Sequence, residues 1–206
     1  MKNRVLDNIT NKIKITYNYD DIKIKEIRYG LESLYLSIFK LIVVIIISII
    51  FGTYKELLLF ILTYGILRIF AFGAHAKRNI DCWVYSLLFF SVIPYLIKVL
   101  FLKAYLYNLL SILFSILLII YSPADTEKRP LIHKKKRVMY KIVVSIISIV
   151  YIILIIKNQN IYIKNLLMFS IIMETLLVLP ITYKILGVKY NNYKLYKRKE
   201  DKKWNY

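Results

Sequence analysis

This 206-residue chain contains a single cysteine, Cys82, and only 12 acidic residues against 31 Lys and Arg. One cysteine excludes an internal disulfide and any zinc site built from several cysteines. With five glycines and four prolines, the chain has no Gly/Ser-rich linker, and no internal repeat is visible. We therefore expect one domain over residues 1–206, with no metal and no other cofactor.

Apolar residues are abundant: they make up 59% of the chain, and the mean hydropathy is +0.56. Such a chain cannot hide its apolar surface in one soluble core of this size, so it needs lipid as its solvent. The net charge is +19, and nucleic-acid-binding proteins are also basic. Here, however, the charges lie at the ends of apolar runs, which is typical of topology signals and of contact with anionic lipid. We therefore expect a membrane protein that binds no nucleic acid.

Six apolar runs come close to the roughly 20 residues that a membrane-crossing helix needs. They predict an all-α polytopic bundle over residues 34–183. The second run is short and carries Arg68. The predicted spans are Leu34–Phe51, Leu57–Phe72, Cys82–Leu100, Tyr105–Tyr121, Val138–Ile156 and Ile163–Tyr183.

The segments outside these runs alternate between rich and poor in basic residues. Residues 1–33, the second and fourth connections and the tail 184–206 are rich, whereas the other three connections are poor. Because basic segments stay on the cytosolic side, we expect both termini and connections two and four to be cytosolic. Residues 1–33 also show apolar residues at helical spacing opposite lysines, which is typical of amphipathic helices in the membrane interface. Asn18 or Asp20 is expected to cap the second of these helices.

His75 and Cys82 lie seven positions apart, beside the second connection. A lone thiol and a histidine at the end of a membrane span are the ingredients of a cysteine peptidase. Only a few per cent of an ordinary thiol is ionised at neutral pH, so catalysis needs a local cause for more. The predicted helix N-terminus at Cys82 favours an anion, and His75 can take the proton. The pair predicts a nucleophile and its general base.

The spacing of this pair constrains the path of the chain. On one unbroken helix, seven positions span about 10.5 Å along the axis, which is too far for a hydrogen bond. We therefore expect Lys77–Asp81 to turn the chain, with Asn79 or Asp81 capping the next helix. The alternatives are an inert apolar cysteine and a histidine in a local polar contact.

A second polar stretch, Tyr121–Arg137, carries two prolines, two acids and a basic run. Because the prolines oppose helix formation, we expect a loop. Asp125 is expected to support His75. The basic run either binds an acidic peptide or anionic lipid, or it only sets the topology. It comprises Lys134, Lys135, Lys136 and Arg137.

These two stretches together resemble the accessory gene regulator B family, the membrane endopeptidases of Gram-positive quorum sensing. Members carry an Arg, a Gly-rich stretch ending in His-Ala, and a Cys seven positions after the His. They also carry a Tyr-Ala-Pro-Ala-Asp-Thr-Glu-like sequence before a Pro and a basic run. In this chain Phe72 stands where a second glycine is common, and Ser122 replaces an Ala. The matching residues are Arg68, Gly73, His75-Ala76, Cys82, Tyr121–Glu127, Pro130 and Lys134–Arg137.

The resemblance implies a reaction in the bacterial cell membrane, carried out by a homodimer. Cys82 attacks a short propeptide, its acidic C-terminal tail leaves, and the peptide remains on Cys82 as a thioester. An internal Cys or Ser of the propeptide then closes a thiolactone or lactone ring. The resemblance also implies supporting roles for Arg68 and Gly73.

Two other functions remain open. Ionisable residues inside the membrane would be the sign of a small transporter or channel. Arg68 and Glu174 qualify, with Lys40 near a helix end, but no inverted repeat is present. The second alternative is a membrane scaffold without catalysis. Replacement of Cys82 separates these functions, because transport or assembly would survive it and peptide cleavage would not.

Overall fold

The computed structural model describes residues 2–17, 19–126 and 130–194. Within those residues the chain is all-α, as predicted, apart from one isolated backbone bridge. Asn18, Glu127 and most of the basic tail lie outside the described residues. The helices are α1 Lys2–Tyr17, α2 Asp21–Ile50, α3 Tyr54–Ala71, α4 Asn79–Val99, α5 Ala104–Tyr121, α6 Lys134–Lys157, α7 Ile161–Val178 and α8 Pro180–Ile185.

Five helices of the described chain are long and apolar enough to cross a membrane, namely α2, α4, α5, α6 and α7. They coincide with five of the six predicted spans and make the chain an all-α polytopic membrane protein. The remaining predicted span is α3. It is helical over 18 residues but carries Lys55, Glu56 and Arg68, so its place in a bilayer depends on how Arg68 is neutralised.

Two spans differ in extent from the prediction. Because no proline separates the second interfacial segment from the first span, both form α2, one continuous helix of about 45 Å. The predicted span Ile163–Tyr183 is broken after Val178. Pro180 has no N–H to continue the helix and disfavours helical backbone at Leu179, whose ψ is 137°. The chain restarts there as the short helix α8.

The chain divides into two compact units, Met1–Ile47 and Ser48–Tyr206. In the first unit, the carboxylate of Asp20 accepts a hydrogen bond from the N–H of Lys23 at 3.1 Å, so Asp20 caps α2 as predicted. The interfacial position of α1 stays a prediction. Two ion pairs join α1 to the start of α2, Lys14 with Asp21 and Asp7 with Arg28, each at 2.6 Å.

The second unit is built around α7. In the most apolar 18-residue stretch of α7, 56% is buried inside the protein. The corresponding share is 17% for α4 and 22% for α5 and α6, so these outer helices present their apolar faces to lipid. Polar side chains join the helices inside the unit, where lipid offers no competing partner. The hydroxyls of Thr63 and Ser170 lie 2.7 Å apart, and Tyr151 donates to the carbonyl of Thr63 at 3.0 Å. The core helix α7 thus forms a rigid support for the connection that carries the candidate site.

Candidate active site

The connection from α3 to α4, residues Phe72–Arg78, folds around the side chain of Arg68. The guanidinium donates to the carbonyl oxygens of Phe72, Gly73 and Ala74, the last two at 3.2 and 2.9 Å. A planar group with five N–H donors suits this role, which the point charge of a lysine could not fill. Because α3 ends one residue before Phe72, these contacts also satisfy carbonyl groups beyond the end of the helix.

The charge of Arg68 is neutralised by Glu174 of α7. Arg68 Nη1 lies 3.5 Å from Glu174 Oε1; the Glu174 side chain is fully buried and that of Arg68 is 17% exposed. A buried carboxylate is costly unless an opposite charge lies beside it. From the sequence, Glu174 was considered only as a sign of a transporter, whereas Arg68 was also expected to support the site. The ion pair could have been inferred from the sequence, because opposite charges in apolar helices must pair. The pairing of Arg68 with Glu174 explains how α3 accommodates a charged residue.

Arg68 also holds one ring nitrogen of His75. Arg68 Nη2 lies 3.3 Å from His75 Nε2. Because a guanidinium can only donate, Nε2 is the acceptor in this contact. His75 is exposed, so a substrate can reach it.

Gly73 brings the connection against the end of α7. Its φ is +104°, and an added Cβ would overlap the guanidinium of Arg68 and lie 3.0 Å from the carbonyl oxygen of Leu177. The next residue, Ala74, donates to that same oxygen at 2.7 Å. Only glycine fits this position. Phe72 also has a positive φ, 65°, a conformation that glycine would adopt without strain.

We predict that Gly73→Ala lowers propeptide cleavage by roughly tenfold to a hundredfold, because the connection that carries His75 must shift. The positive φ alone costs about 1–2 kcal/mol for alanine. The matched control is Gly65→Ala in α3, where an added Cβ has no neighbour within 4 Å. Cleavage rates of both purified variants, normalised to folded protein, check this prediction. Equal rates in the two variants would contradict it.

Backbone hydrogen bonds join the two polar stretches that the sequence analysis singled out. The N–H of Gly73 donates to the carbonyl of Ala124 at 2.8 Å, and the N–H of Ala124 donates to the carbonyl of Ala71 at 2.9 Å. Phe72 and Ala124 thereby form a parallel bridge. The two stretches, separated by α4 and α5 in the chain, are one site in space.

Asp125 anchors its stretch from inside the protein. It is 2% exposed, and its carboxylate accepts from the backbone N–H groups of Leu131, Asn192 and Tyr193 at 3.3, 3.0 and 2.8 Å. Burial raises the pKa of Tyr183, so its hydroxyl stays protonated. That hydroxyl lies 3.0 and 3.1 Å from two carbonyl oxygens of the same stretch. Asp125 thus holds its own stretch in place through backbone groups, two of which lie in the segment after α8 to which no role was assigned from the sequence.

Cys82 lies in the first turn of α4, as predicted, and is partly exposed. Its N–H donates to the carbonyl of Arg78 at 3.2 Å, so the three preceding N–H groups of the helix have no intrahelical acceptor. This end of the helix dipole favours an anion. Backbone N–H groups without an intrahelical acceptor therefore lie next to Cys82.

The turn between His75 and Cys82 lies earlier than predicted. Phe72–Arg78 is non-helical and α4 already begins at Asn79, because the bonds to Arg68 make the turn directly after α3. The expected caps are also wrong: Arg78 occupies the N-cap position, without a side-chain cap. Asp81 pairs instead with Arg78, whose Nε lies 3.0 Å from Asp81 Oδ2.

The basic run is helical rather than part of a loop. The prolines keep the chain out of helix only as far as His133, and α6 begins at Lys134. The run is divided between different faces. Lys134 and Lys135 line an apolar surface formed by the next turns of α6. Lys136 lines a groove beside Phe72, and Arg137 stacks on a tyrosine ring of the C-terminal segment.

Comparison with known proteins adds an independent line of evidence. A family model described as Accessory gene regulator B matches residues 6–178. The chain is 34% identical over 203 residues to a Clostridium acetobutylicum protein named "Putative AgrB-like protein", covering 96% of both chains. It is 34% identical over 169 residues to "Accessory gene regulator protein B" of Staphylococcus epidermidis, covering 81% of this chain and 84% of that protein. For the protein of the same name from Staphylococcus aureus, the identity is 29% over 179 residues, covering 86% and 94%. No solved structure matches.

Proposed function

Because this chain belongs to the accessory gene regulator B family, we propose that it is a membrane-embedded cysteine endopeptidase of quorum sensing. It removes the acidic C-terminal tail of a short propeptide and supports cyclisation of the remainder. The observation that carries this proposal is the folded connection ahead of α4. Arg68 holds the exposed ring of His75 there, and Cys82 follows in the first turn of the next helix.

In the first step His75 takes the proton of the Cys82 thiol, and the thiolate attacks the scissile carbonyl of the propeptide. The C–N bond breaks, a thioester forms on Cys82, and His75 returns the proton to the leaving amine. Because Arg68 occupies Nε2 of His75 in this state, that hydrogen bond opens when Nε2 takes the proton. The turned chain at Phe72–Arg78 permits the approach that one straight helix would forbid.

In the second step a Cys or Ser inside the propeptide attacks the thioester. A new thioester or ester closes the ring, and the thiolate of Cys82 is released. Exchange of one thioester for another is nearly balanced, so this step needs no ATP. Conversion of an amide to a thioester is uphill, so the first step is drawn forward by removal of the products.

We propose a different role for the ionisable residues that suggested a transporter. Arg68 and Glu174 neutralise each other inside the second unit. Arg68 also donates hydrogen bonds to the connection that carries His75. Both charges therefore support the peptidase site.

The direct test of the proposed function uses purified protein in liposomes with a synthetic propeptide. We expect mass spectrometry to show release of the acidic tail and a remaining peptide lighter by one water than its linear form, as a ring requires. An intact propeptide, or its passage across the bilayer without cleavage, would contradict the proposal. A propeptide with its internal nucleophile replaced by alanine is the control, because it can be cleaved but cannot cyclise.

We further propose that the protein lies in the bacterial cell membrane as a homodimer in contact with anionic lipid, with both termini and the site on the cytosolic side. The support is the alternation of basic segments and the family resemblance. Both termini can lie on the same side only if the number of crossings is even. With five other spans, α3 must therefore also cross, although it carries three charges. Its pairing of Arg68 with Glu174 makes this possible.

Labelling of single cysteines on a Cys82→Ala background tests this topology. We expect an impermeant thiol reagent added outside to label Lys55→Cys, Lys103→Cys and Asn158→Cys, and to miss Lys77→Cys and Lys135→Cys. Lys55 and Lys77 lie near opposite ends of α3, so a difference in labelling between these two positions shows whether α3 crosses the membrane. The opposite pattern would place the site outside the cell, and equal labelling at these two positions would remove α3 from the spans.

A further inference from the structure

A groove of about 280 Å³ opens beside the connection that carries His75. One wall is Phe72, which directly precedes Gly73. The start of α6, with Tyr140 and Lys136, and residues 130–133 also line the groove. The rings of Phe72 and Tyr140 lie 5.4 Å apart at an angle of 41°. The groove therefore offers two aromatic faces and a lysine in one place.

Among the described residues, the exposed charges at and beside this groove are positive. Lys134, Lys135 and Lys136 are exposed, and none of the ion pairs among the described residues includes them. Positive charges at a helix N-terminus are opposed by the helix dipole, so an anion bound here would stabilise α6. Asp125 does not supply it, because it is buried and its carboxylate accepts from three backbone N–H groups.

The position of the groove indicates which part of a substrate it takes. In the proposed reaction His75 gives a proton to the leaving amine, so the leaving segment begins next to His75. The groove starts at Phe72, three residues earlier on the same connection. Charge complementarity then favours an acidic segment over the neutral or basic part of a peptide.

We propose that this groove is the subsite for the first residues of the acidic tail, directly after the scissile bond, and that Lys136 is its charged contact. An apolar side chain of the tail packs on the contacting rings of Phe72 and Tyr140, and a following carboxylate pairs with Lys136. Lys134 and Lys135 face the apolar surface of α6 and contact lipid headgroups instead. This inference rests on the proposed function for the identity of the tail.

Binding of a fluorescent peptide with the tail sequence tests this subsite without cleavage. Cys82→Ala protein is placed in nanodiscs of zwitterionic lipid, and the affinity is read by anisotropy. Lys136→Gln should weaken binding by about fivefold, the upper end of the scale for a solvent-exposed ion pair. The difference in peptide affinity between Lys136→Gln and the protein that keeps Lys136 should narrow as the salt concentration is raised. The matched control is Lys135→Gln, which removes the same charge from the same turn and should leave the affinity unchanged.

A charge exchange makes the test specific. Lys136→Glu should lose the acidic peptide and recover a peptide in which lysine replaces the acidic residue. Equal losses in Lys135→Gln and Lys136→Gln would overturn the subsite, because they would show a diffuse basic surface. A loss seen only in nanodiscs with anionic lipid would also overturn it and assign Lys136 to the membrane.

Failure of the subsite and failure of the proposed function are distinguishable. Tail binding is measured in a variant without the nucleophile, so it does not depend on the reaction. Cleavage by the wild type without any dependence of tail binding on Lys136 would reject the subsite alone. If tail binding depends on Lys136 but the wild type never cleaves the propeptide, the peptidase function is rejected and the groove remains as a binding site.

Discussion

Cys82→Ala will abolish cleavage of the propeptide by the purified protein. The chain contains no other cysteine, so no other side chain can supply a thiolate. Cys82→Ser is expected to be inactive or nearly so, because a hydroxyl is far harder to ionise than a thiol. Cleavage is measured by mass spectrometry of the propeptide in liposomes that contain the wild type or either variant.

Folding of the Cys82→Ala protein needs its own control, since a misfolded variant would also be inactive. Its elution as a single species in detergent, together with retained binding of the tail peptide, shows that the groove is intact. Cleavage at the wild-type rate by such a preparation would rule out Cys82 as the nucleophile.

His75→Ala is expected to lower the cleavage rate by about a hundredfold or more, the usual scale for a lost general base. His75 also accepts a hydrogen bond from Arg68, so this variant alone does not separate a chemical role from a structural one. Single-turnover rates at saturating propeptide measure the effect on chemistry without the contribution of binding.

His75→Gln separates the two roles. The glutamine offers an acceptor to Arg68 but cannot take up a proton near neutral pH. If His75 is the general base, His75→Gln is as slow as His75→Ala. A rate close to the wild type would show that His75 only supports the fold of its connection.

The helices could be predicted from the sequence because apolar runs of this length have few alternatives. The two motifs could also be identified, since their residue types carry both the chemistry and the family resemblance. The interfacial segment and the first span were predicted as separate helices because their surfaces differ in composition. Backbone hydrogen bonding continues through such a change when no residue interrupts it, and α2 is therefore one helix.

The internal structure of the site could not be predicted, because it depends on partners distant in the sequence. Arg68 was expected to support the turn, but its pairing with Glu174 across α3 and α7 is a tertiary contact. The bridge between Phe72 and Ala124 consists of backbone groups, which leave no trace in side-chain patterns. The basic run is divided between different faces because α6 begins at Lys134, and successive residues of a helix are rotated by about 100° around its axis. This division could not be predicted without the start of the helix.

Capture of the acyl-enzyme tests the central claim, that Cys82 is the nucleophile, most directly. The wild type is mixed with a propeptide whose internal nucleophile is replaced by alanine, quenched in acid at short times and analysed by intact-protein and peptide mass spectrometry. We predict an adduct on Cys82 with the mass of the peptide before the scissile bond less one water, sensitive to hydroxylamine and absent from Cys82→Ala. Tail release with no adduct at any time, or an adduct on another residue, would contradict the account.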